Sequence, residues 1–382
     1  MVLTNQDMVE LVAFRRKLHR MPELSRQEEQ TAREVQAFLK ETHPDWTLTD
    51  LGGHGIAAVY EGREPGPTVM VRAELDGLPI QEISDAPHRS ATPGKGHLCG
   101  HDGHMAILAG LARELGRQRP QRGRAILMFQ PAEEDGSGAA AVVADPRFRQ
   151  IAPDFAFALH NVPGLPFGQV ALTEGPVNCA SRGMRIVLTG KTAHASMPET
   201  GLSPVNVVAQ LMPQLTALGK GGPLEEGFSM VTVTHSRIGE PAFGVAPAHG
   251  EIWATLRTLT DAGMEELCAS AEQLVLSAAR EQGLSVEVSY DDIFHHCENA
   301  PEAVAHLREA LEAEGVPYDR GDLPIRASED FGRFGQKAPA AMFFLGAGEK
   351  HPSLHNPDYD FPDDLIPIGT RVFMRTIRNL LG

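Results

Sequence analysis

The chain has 382 residues, 42% of them hydrophobic and 22% charged, enough for sizeable cores in two domains or three. Asp and Glu outnumber Lys and Arg by 50 to 34, and a net charge of −16 excludes nucleic acid and an anionic membrane surface as partners, so an anionic substrate needs local Arg or Lys. Four scattered cysteines (Cys99, Cys179, Cys268, Cys297) exclude a disulfide scaffold, no apolar run is long enough for a membrane span, and the N-terminus lacks a signal-peptide core; a cytoplasmic protein with reduced thiols is expected.

Apolar residues at helical spacing over 6–20 (Met8, Leu11, Val12, Leu18) predict a helix ended by Pro22. Ser25 followed by Glu28 reads as a capping box opening a second helix toward Leu39. PTVMVRAEL (67–75) reads as a buried strand that delivers Glu74 and Asp76 at its C-terminal end. A helix over 103–116 separates it from RAILMFQPAEE (124–134), a strand stopped by Pro131 that delivers Glu133 and Glu134. DFAFALHNVPG (154–164) is a third strand, ending at His160. This alternation predicts an α/β sheet, with polar residues just past strand ends, where open α/β sheets hold ligands.

The rhythm changes after about residue 182. GMRIVLTG is a strand, 203–218 a helix, FSMVTVTHSRIG and HGEIWATLRT alternating strands, 261–283 a long helix opened by Asp261, and LSVEVSYDDIF a strand. The order βαββαβ predicts a small antiparallel sheet with two helices on one face. The expected fold is therefore α/β: a doubly wound mixed-sheet catalytic domain (1–181 and 293–382) with an inserted α+β lid domain (182–292). The chain returns with a helix over 301–314, a buried strand over 340–346 and a terminal helix over 364–381.

GHLCGHDGHMA sets Cys99 and His101 in a Gly-rich loop before a helix. Taken alone, the pair reads equally well as a polar loop with a weakly buried thiol. Glu133–Glu134, His160 and His355 (in SLHNPDYDF) stand at other strand ends that converge on one edge of a doubly wound sheet. One cysteine, three histidines and a carboxylate form a mixed S/N/O set suited to one or two divalent transition metals. Of two adjacent glutamates, one can bind metal while the other holds a water as general base; the alternative is a solvated pair. Asp76 and Glu74 stand where a carboxylate can orient a ligating imidazole, the alternative for Asp76 being a helix N-cap. No G-x-S-x-G stretch occurs, which disfavours a serine hydrolase.

In order, RAELDGLPI, GHLCGHDGHMA, QPAEED, GKTAHASMP, ASEDFG and LHNPDYDFPDD resemble motifs of the metal-dependent amidohydrolase/peptidase family. That family includes bacterial N-acyl-amino-acid amidohydrolases (aminoacylases), hippurate hydrolase and plant auxin–amino acid conjugate hydrolases. The resemblance spans about residues 8–380. It implies two divalent ions per chain (Zn²⁺, Mn²⁺, Co²⁺ or Ni²⁺), with Cys99 and His101 as the first ligands, Cys99 bridging, and Glu134, His160 and His355 as the others. It implies Glu133 as general base and Asp76 as the aspartate behind a ligand imidazole. His194 in TAHASMP would be a lid histidine that stabilises the oxyanion, in some relatives from a partner subunit. Arg257 in ATLRT would be a lid arginine for a substrate carboxylate. His97 and His104 are not needed as ligands. Glu74 stands where many relatives have Asp, and Gly244 where many have an asparagine near the substrate. The implied reaction is hydrolysis of an N-acyl amino acid. A dipeptidase or carboxypeptidase with the same centre is the alternative within enzymes, and a non-catalytic metal-holding sensor the alternative outside them. The strand at 228–238 offers an edge for a second copy, so a homodimer is expected.

Overall fold

The apolar run that ends at Glu74 lies near the middle of an eight-stranded sheet in a computed structural model, which describes residues 3–382. Across the sheet the strands are Trp46–Leu51, Gly55–Glu61, Arg122–Gln130, Glu64–Glu74, Phe155–Pro163, Ala340–Gly348, Val170–Ala171 and Tyr318–Asp319. The four from Arg122–Gln130 to Ala340–Gly348 run parallel, so their C-terminal ends share one edge. Gly55–Glu61 and Val170–Ala171 join them antiparallel, which makes the sheet mixed.

Covering both faces of a parallel core demands near-continuous apolar strands. Val69, Val71 and Ala73 turn to one face, where they join a core with Leu11 and Leu18 of the helix Asn5–His19, Ile107 and Leu111 of the helix His101–Arg117, and Phe373 and Ile377 of the helix Leu365–Leu381. Arg72 and Gln130 turn to the other face, where both reach Asp330 beside the short helix Gly332–Gly335. Period-two alternation thus puts hydrocarbon on one side and a buried ionic cluster on the other.

The first helix opens with a capping box the pattern reading did not find: Thr4 Oγ1 accepts from Asp7 N at 3.2 Å, and Asp7 Oδ2 accepts from Thr4 N at 2.8 Å. The expected box at Ser25 and Glu28 is absent. Ser25 Oγ instead donates to Asp76 Oδ2 at 2.7 Å, Glu28 accepts from Arg26 N and Ala132 N, and the helix starts at Glu29 without a side-chain cap. Tertiary partners, Asp76 as acceptor for Ser25 and Ala132 N–H as donor to Glu28, replace the local capping bonds here. The long helix Asp261–Gln282 is capped by Thr260, whose hydroxyl accepts from Gly263 N, and Asp261 is its first helical residue.

By internal contacts the chain divides into two units. One runs to Val177 and resumes over Cys297–Leu323 and Glu329–Gly382; the other comprises Asn178–His296 and Pro324–Ser328. The sequence expectation set the boundaries at 182 and 292 and assigned 324–328 to the first unit. The second unit holds a four-stranded antiparallel sheet in the order Ser229–Ile238, His249–Thr258, Ala180–Thr189, Ser285–Phe294. Ile186, Leu188, Ile252 and Leu256 bury one face of it against Leu211 and Leu215 of the helix Val205–Ala217 and Leu267 and Val275 of Asp261–Gln282. Among the described residues no helix is long and apolar enough to cross a membrane.

Two glycines set the approach of the helix His101–Arg117. Gly100 takes φ +94° at its N-cap, and a Cβ there would lie 2.1 Å from Asn161 Oδ1. A Cβ on Gly103 would lie 2.2 Å from the ring of Phe361, which is itself fully buried. Gly103→Ala therefore sets helix propensity, worth about 1 kcal/mol in favour of Ala, against overpacking of about 1–3 kcal/mol. The clash with a ring that has nowhere to move should win. Urea unfolding should show a less stable variant; equal or greater stability would contradict this packing.

Candidate metal centre

The shared C-terminal edge of the parallel strands gathers the residues that carry chemistry. Glu74 ends its strand and Asp76 follows it. After Gln130 the chain turns through Ala132, held at φ +51°, and presents Glu133 and Glu134. His160 lies within Phe155–Pro163, which continues past it rather than ending there. Cys99 precedes the helix whose first residue is His101. His355 sits in the loop after Ala340–Gly348 at φ +65°, tied by its backbone N–H to Leu98 O at 2.8 Å.

Side-chain donor atoms close in three overlapping sets: Cys99, His101 and His160; Cys99, Glu134 and His355; His101, Glu133 and Glu134. Within each set the atoms lie within 4.8 Å of one another, and Cys99 is common to the first two. His101 Nε2 is 3.9 Å from both Glu133 Oε2 and Glu134 Oε1, and His355 Nε2 is 3.8 Å from Glu134 Oε2. These gaps are too long for hydrogen bonds. They suit neighbouring ligands around an ion with bonds of about 2.0–2.3 Å.

Two of the three candidate ligand imidazoles, His101 and His160, are oriented from behind. His101 Nδ1 donates to Asp76 O at 3.0 Å, with Asp76 Oδ1 at 3.4 Å, so Nε2 faces the carboxylates. Asp76 Oδ2 also accepts from Glu134 N at 3.0 Å, so one aspartate sets both neighbours; it is not a helix cap. His160 Nδ1 donates to Asn161 O at 2.7 Å, which leaves Nε2 3.4 Å from Cys99 Sγ. His104 differs: Glu74 Oε2 and Asn161 Oδ1, each at 2.6 Å, occupy both its nitrogens. His97 is buried with neither nitrogen hydrogen-bonded, and burial pulls its pKa to about 4.

A divalent cation fits this donor set. His101 Nε2 and Glu134 Oε1 are buried without any hydrogen-bond partner, a costly state that an ion would relieve. Burial and the charges of Glu134, Glu133 and Glu74 push the Cys99 thiol far up. Burial, with Glu329, Glu134 and Asp330, pushes Glu133 up, and burial lifts Glu134 to about 7 against the pull of His101. Burial and the neighbouring His104 hold His160 near 3, and burial also lowers His355, so both are neutral ligands in waiting. A bound cation reverses the sign of the field that keeps the thiol and carboxyls protonated.

Motif reading named Glu74 and quoted ASEDFG, which holds Glu329 and Asp330, but gave Arg72 and that acidic pair no role. Arg72 is fully buried and donates to Gln130, to Glu74 and, at 2.5 Å, to Asp330, with Glu329 at 2.8 Å. Glu133, Glu329 and Asp330 form a further acidic cluster, and burial lifts Asp330 to about 7 although Arg72 opposes it. For Arg72 the available signal was its charge inside the apolar strand PTVMVRAEL. Asn161, clamped between His104 and Tyr359, gave no local signal at all.

His194 and Arg257 belong to the second unit. His194 is exposed on the two-residue strand Ala193–His194, paired with Val245–Ala246. Its Nδ1 accepts from Ser196 N at 3.1 Å, which puts the ring proton on Nε2. Arg257 donates to Arg326 O at 3.0 Å and Ser328 Oγ at 2.8 Å. Its side-chain partners are a carbonyl and a hydroxyl rather than a carboxylate among the described residues, and burial lowers its pKa. A side chain at Gly244 would meet nothing within 4 Å.

Residues 70–379 match the model of Peptidase family M20/M25/M40. The chain is 28% identical over 372 residues to N-acetylcysteine deacetylase of Bacillus subtilis (strain 168), covering 95% of this chain and 94% of that one. It is 29% identical over 371 residues to thermostable carboxypeptidase 2 of Saccharolobus solfataricus, covering 94% and 92%. The crystal structure of the Bacillus subtilis YXEP protein, described as a dinuclear metal binding peptidase from the M20 family, aligns over 99% of each chain with a TM-score of 0.83 and 25% identity. On sequence, fold and the gathered donor atoms alike, this chain belongs to peptidase family M20/M25/M40 and is a metal-dependent amidohydrolase/peptidase.

Proposed function

We propose that the protein hydrolyses N-acyl amino acids to a carboxylate and a free amino acid, using two divalent ions held by Cys99, His101, Glu134, His160 and His355. The observation that carries the reading is the buried convergence of these donors around Cys99, with His101 Nε2 and Glu134 Oε1 unpartnered. Zn²⁺, Mn²⁺, Co²⁺ and Ni²⁺ all suit the mixed set. A ligand thiolate needs a reducing compartment, which supports the cytoplasm.

When bound, the ions supply Lewis acidity and acidify a water at the site. Glu133 takes the proton from that water as it attacks the amide carbon. Its carboxylate sits among acidic neighbours that raise its proton affinity, as a base requires. It then passes the proton to the leaving nitrogen. Asp76 holds His101 and Glu134 in place throughout. His194, with its proton on Nε2, offers a donor to the developing oxyanion. Arg257, lacking a carboxylate of its own, offers a guanidinium to the substrate carboxylate.

A carboxypeptidase or dipeptidase is the second reading, favoured by the likeness to thermostable carboxypeptidase 2. A kinetic panel on metal-reconstituted protein separates the two. N-acetyl and N-benzoyl amino acids should be turned over with higher kcat/KM than unblocked dipeptides; the reverse order would select the peptidase.

Substitutions separate the roles. Glu133→Gln should keep its metal while kcat falls by about 10²-fold or more. Loss of metal there, with retention in Glu134→Gln, would reverse the two assignments. His194→Ala should lower kcat by roughly 10²–10³-fold with metal content unchanged, whereas Arg257→Ala should mainly raise KM, because a carboxylate anchor serves ground and transition states alike. Near-normal kinetics in both would remove the second unit from the chemistry.

We also propose a homodimer paired through Ser229–Ile238, an edge strand of its sheet. Light scattering should give twice the 41.3 kDa chain mass; monomer alone at micromolar concentration would contradict it.

A further inference from the structure

The motif RRKLHRMPE near the N-terminus has no part in the chemistry above, yet two of its side chains, Arg15 and His19, are fully buried. Arg15 Nη1 donates to Asp102 Oδ2 at 3.0 Å and to Asp360 Oδ1 at 2.7 Å, and its Nε lies 2.6 Å from Asp363 Oδ1. His19 Nδ1 shares Asp102 Oδ2 at 2.9 Å, while its Nε2 lies 3.2 Å from Glu82 Oε2. His88 Nε2 sits between Arg15 and Asp360, at 3.0 and 2.8 Å.

The two sides of this network carry different parts of the metal centre. Asp102 directly follows His101 in the first turn of the helix His101–Arg117. Asp360 and Asp363 lie on the loop that carries His355. Close to His355 that loop is tied by the bond from His355 N to Leu98 O and one from Ile83 N to Pro357 O, both 2.8 Å; further along, Tyr359 bonds Asn161 and Phe361 packs against Gly103, so Asp360 is the charged tie between two buried aromatic ones. His355 itself holds a left-handed backbone conformation, which persists only where surrounding contacts impose it. A buried ion pair adds little net stability compared with an apolar replacement. Its geometry is another matter: a planar fork can fix two carboxylates at once.

We infer that Arg15 is a positioning residue for the metal centre, a single guanidinium that locks the helix start bearing His101 to the loop bearing His355. This rests on the reading of those histidines as ligands. Arg15→Met should leave each ligand in place chemically but uncouple their spacing. Arg15→Lys should behave similarly, since one ammonium in place of Nη1 cannot also keep the contacts that Nε makes with Asp363 and Nη2 with His88.

Co²⁺ titration of the chelator-stripped full-length chain reads the effect without turnover, through the d–d bands and the thiolate charge-transfer band. Arg15→Met should bind Co²⁺ at least about 10-fold more weakly, the scale for loss of a group behind a ligand, with altered d–d bands, a retained thiolate band and unchanged far-UV circular dichroism. If Arg15→Met does not fold, Arg15→Lys and Asp360→Asn, which removes only the loop side, should show the same weakening. Folded variants with wild-type affinity and spectrum, whatever their melting temperature, would overturn the inference. Wild-type protein that binds no Co²⁺ would instead overturn the metal centre itself, and so keeps the two failures apart.

Discussion

Negative charge buried at the edge of a sheet is the constraint on which this structure turns. Glu74, Asp76, Glu133, Glu329 and Asp330 are all buried, with Glu134 and Cys99 beside them, and Arg72 is the one guanidinium among them. Isolated burial of that many acids is prohibitive. Arg72 compensates the group behind Glu133, and in front of it His104 hydrogen-bonds Glu74 Oε2 at 2.6 Å. Burial and the neighbouring acids drive up the proton affinity of Cys99, Glu133 and Glu134. Divalent cations held there would replace those protons, which would tie metal affinity to pH.

The parallel strands explain why the cluster exists at all. Their common direction brings Glu74, Gln130 and His160 to the same edge, and their loops carry Asp76, Glu133, Glu134 and His355 beyond it. The helix His101–Arg117 then delivers His101 and His104 from one turn, with opposite fates. His101 keeps one nitrogen free because only its Nδ1 is engaged, whereas His104 is closed by Glu74 and Asn161. The longer reach of Glu at position 74 lets a single carboxylate meet both Arg72 and His104. The departure from Asp therefore has a structural use here.

Much of this was legible before any coordinates. Apolar runs punctuated by Pro131 or followed by acidic pairs located the strands, and helical spacing located the helices that cover them. Glu133, Glu134, His160 and His355 were named from expected strand ends and Cys99 and His101 from a Gly-rich loop before a helix, and the motif resemblance supplied their roles; His160 proved to lie inside its strand. What stayed hidden depends on pairing across the chain. Arg72 was visible as a charge in an apolar strand, but its partners lie over 250 residues away at Glu329 and Asp330. Ser25 looked like a cap because the local pattern fits one; its true acceptor, Asp76, lies 51 residues on. Arg15 and His19 fall outside the apolar spacing that located the first helix, yet they are its most deeply buried charges.

The central claim is that this buried cluster is complete only with two divalent ions that share Cys99. Metal content of the purified full-length chain, measured by mass spectrometry after dialysis against Zn²⁺ or Mn²⁺, tests it most directly. The account predicts two ions per chain in the wild type and loss of metal from both positions in Cys99→Ser, because a neutral hydroxyl replaces the shared thiolate. A wild-type chain that retains one ion or none, or a Cys99→Ser variant that still retains two, would contradict it.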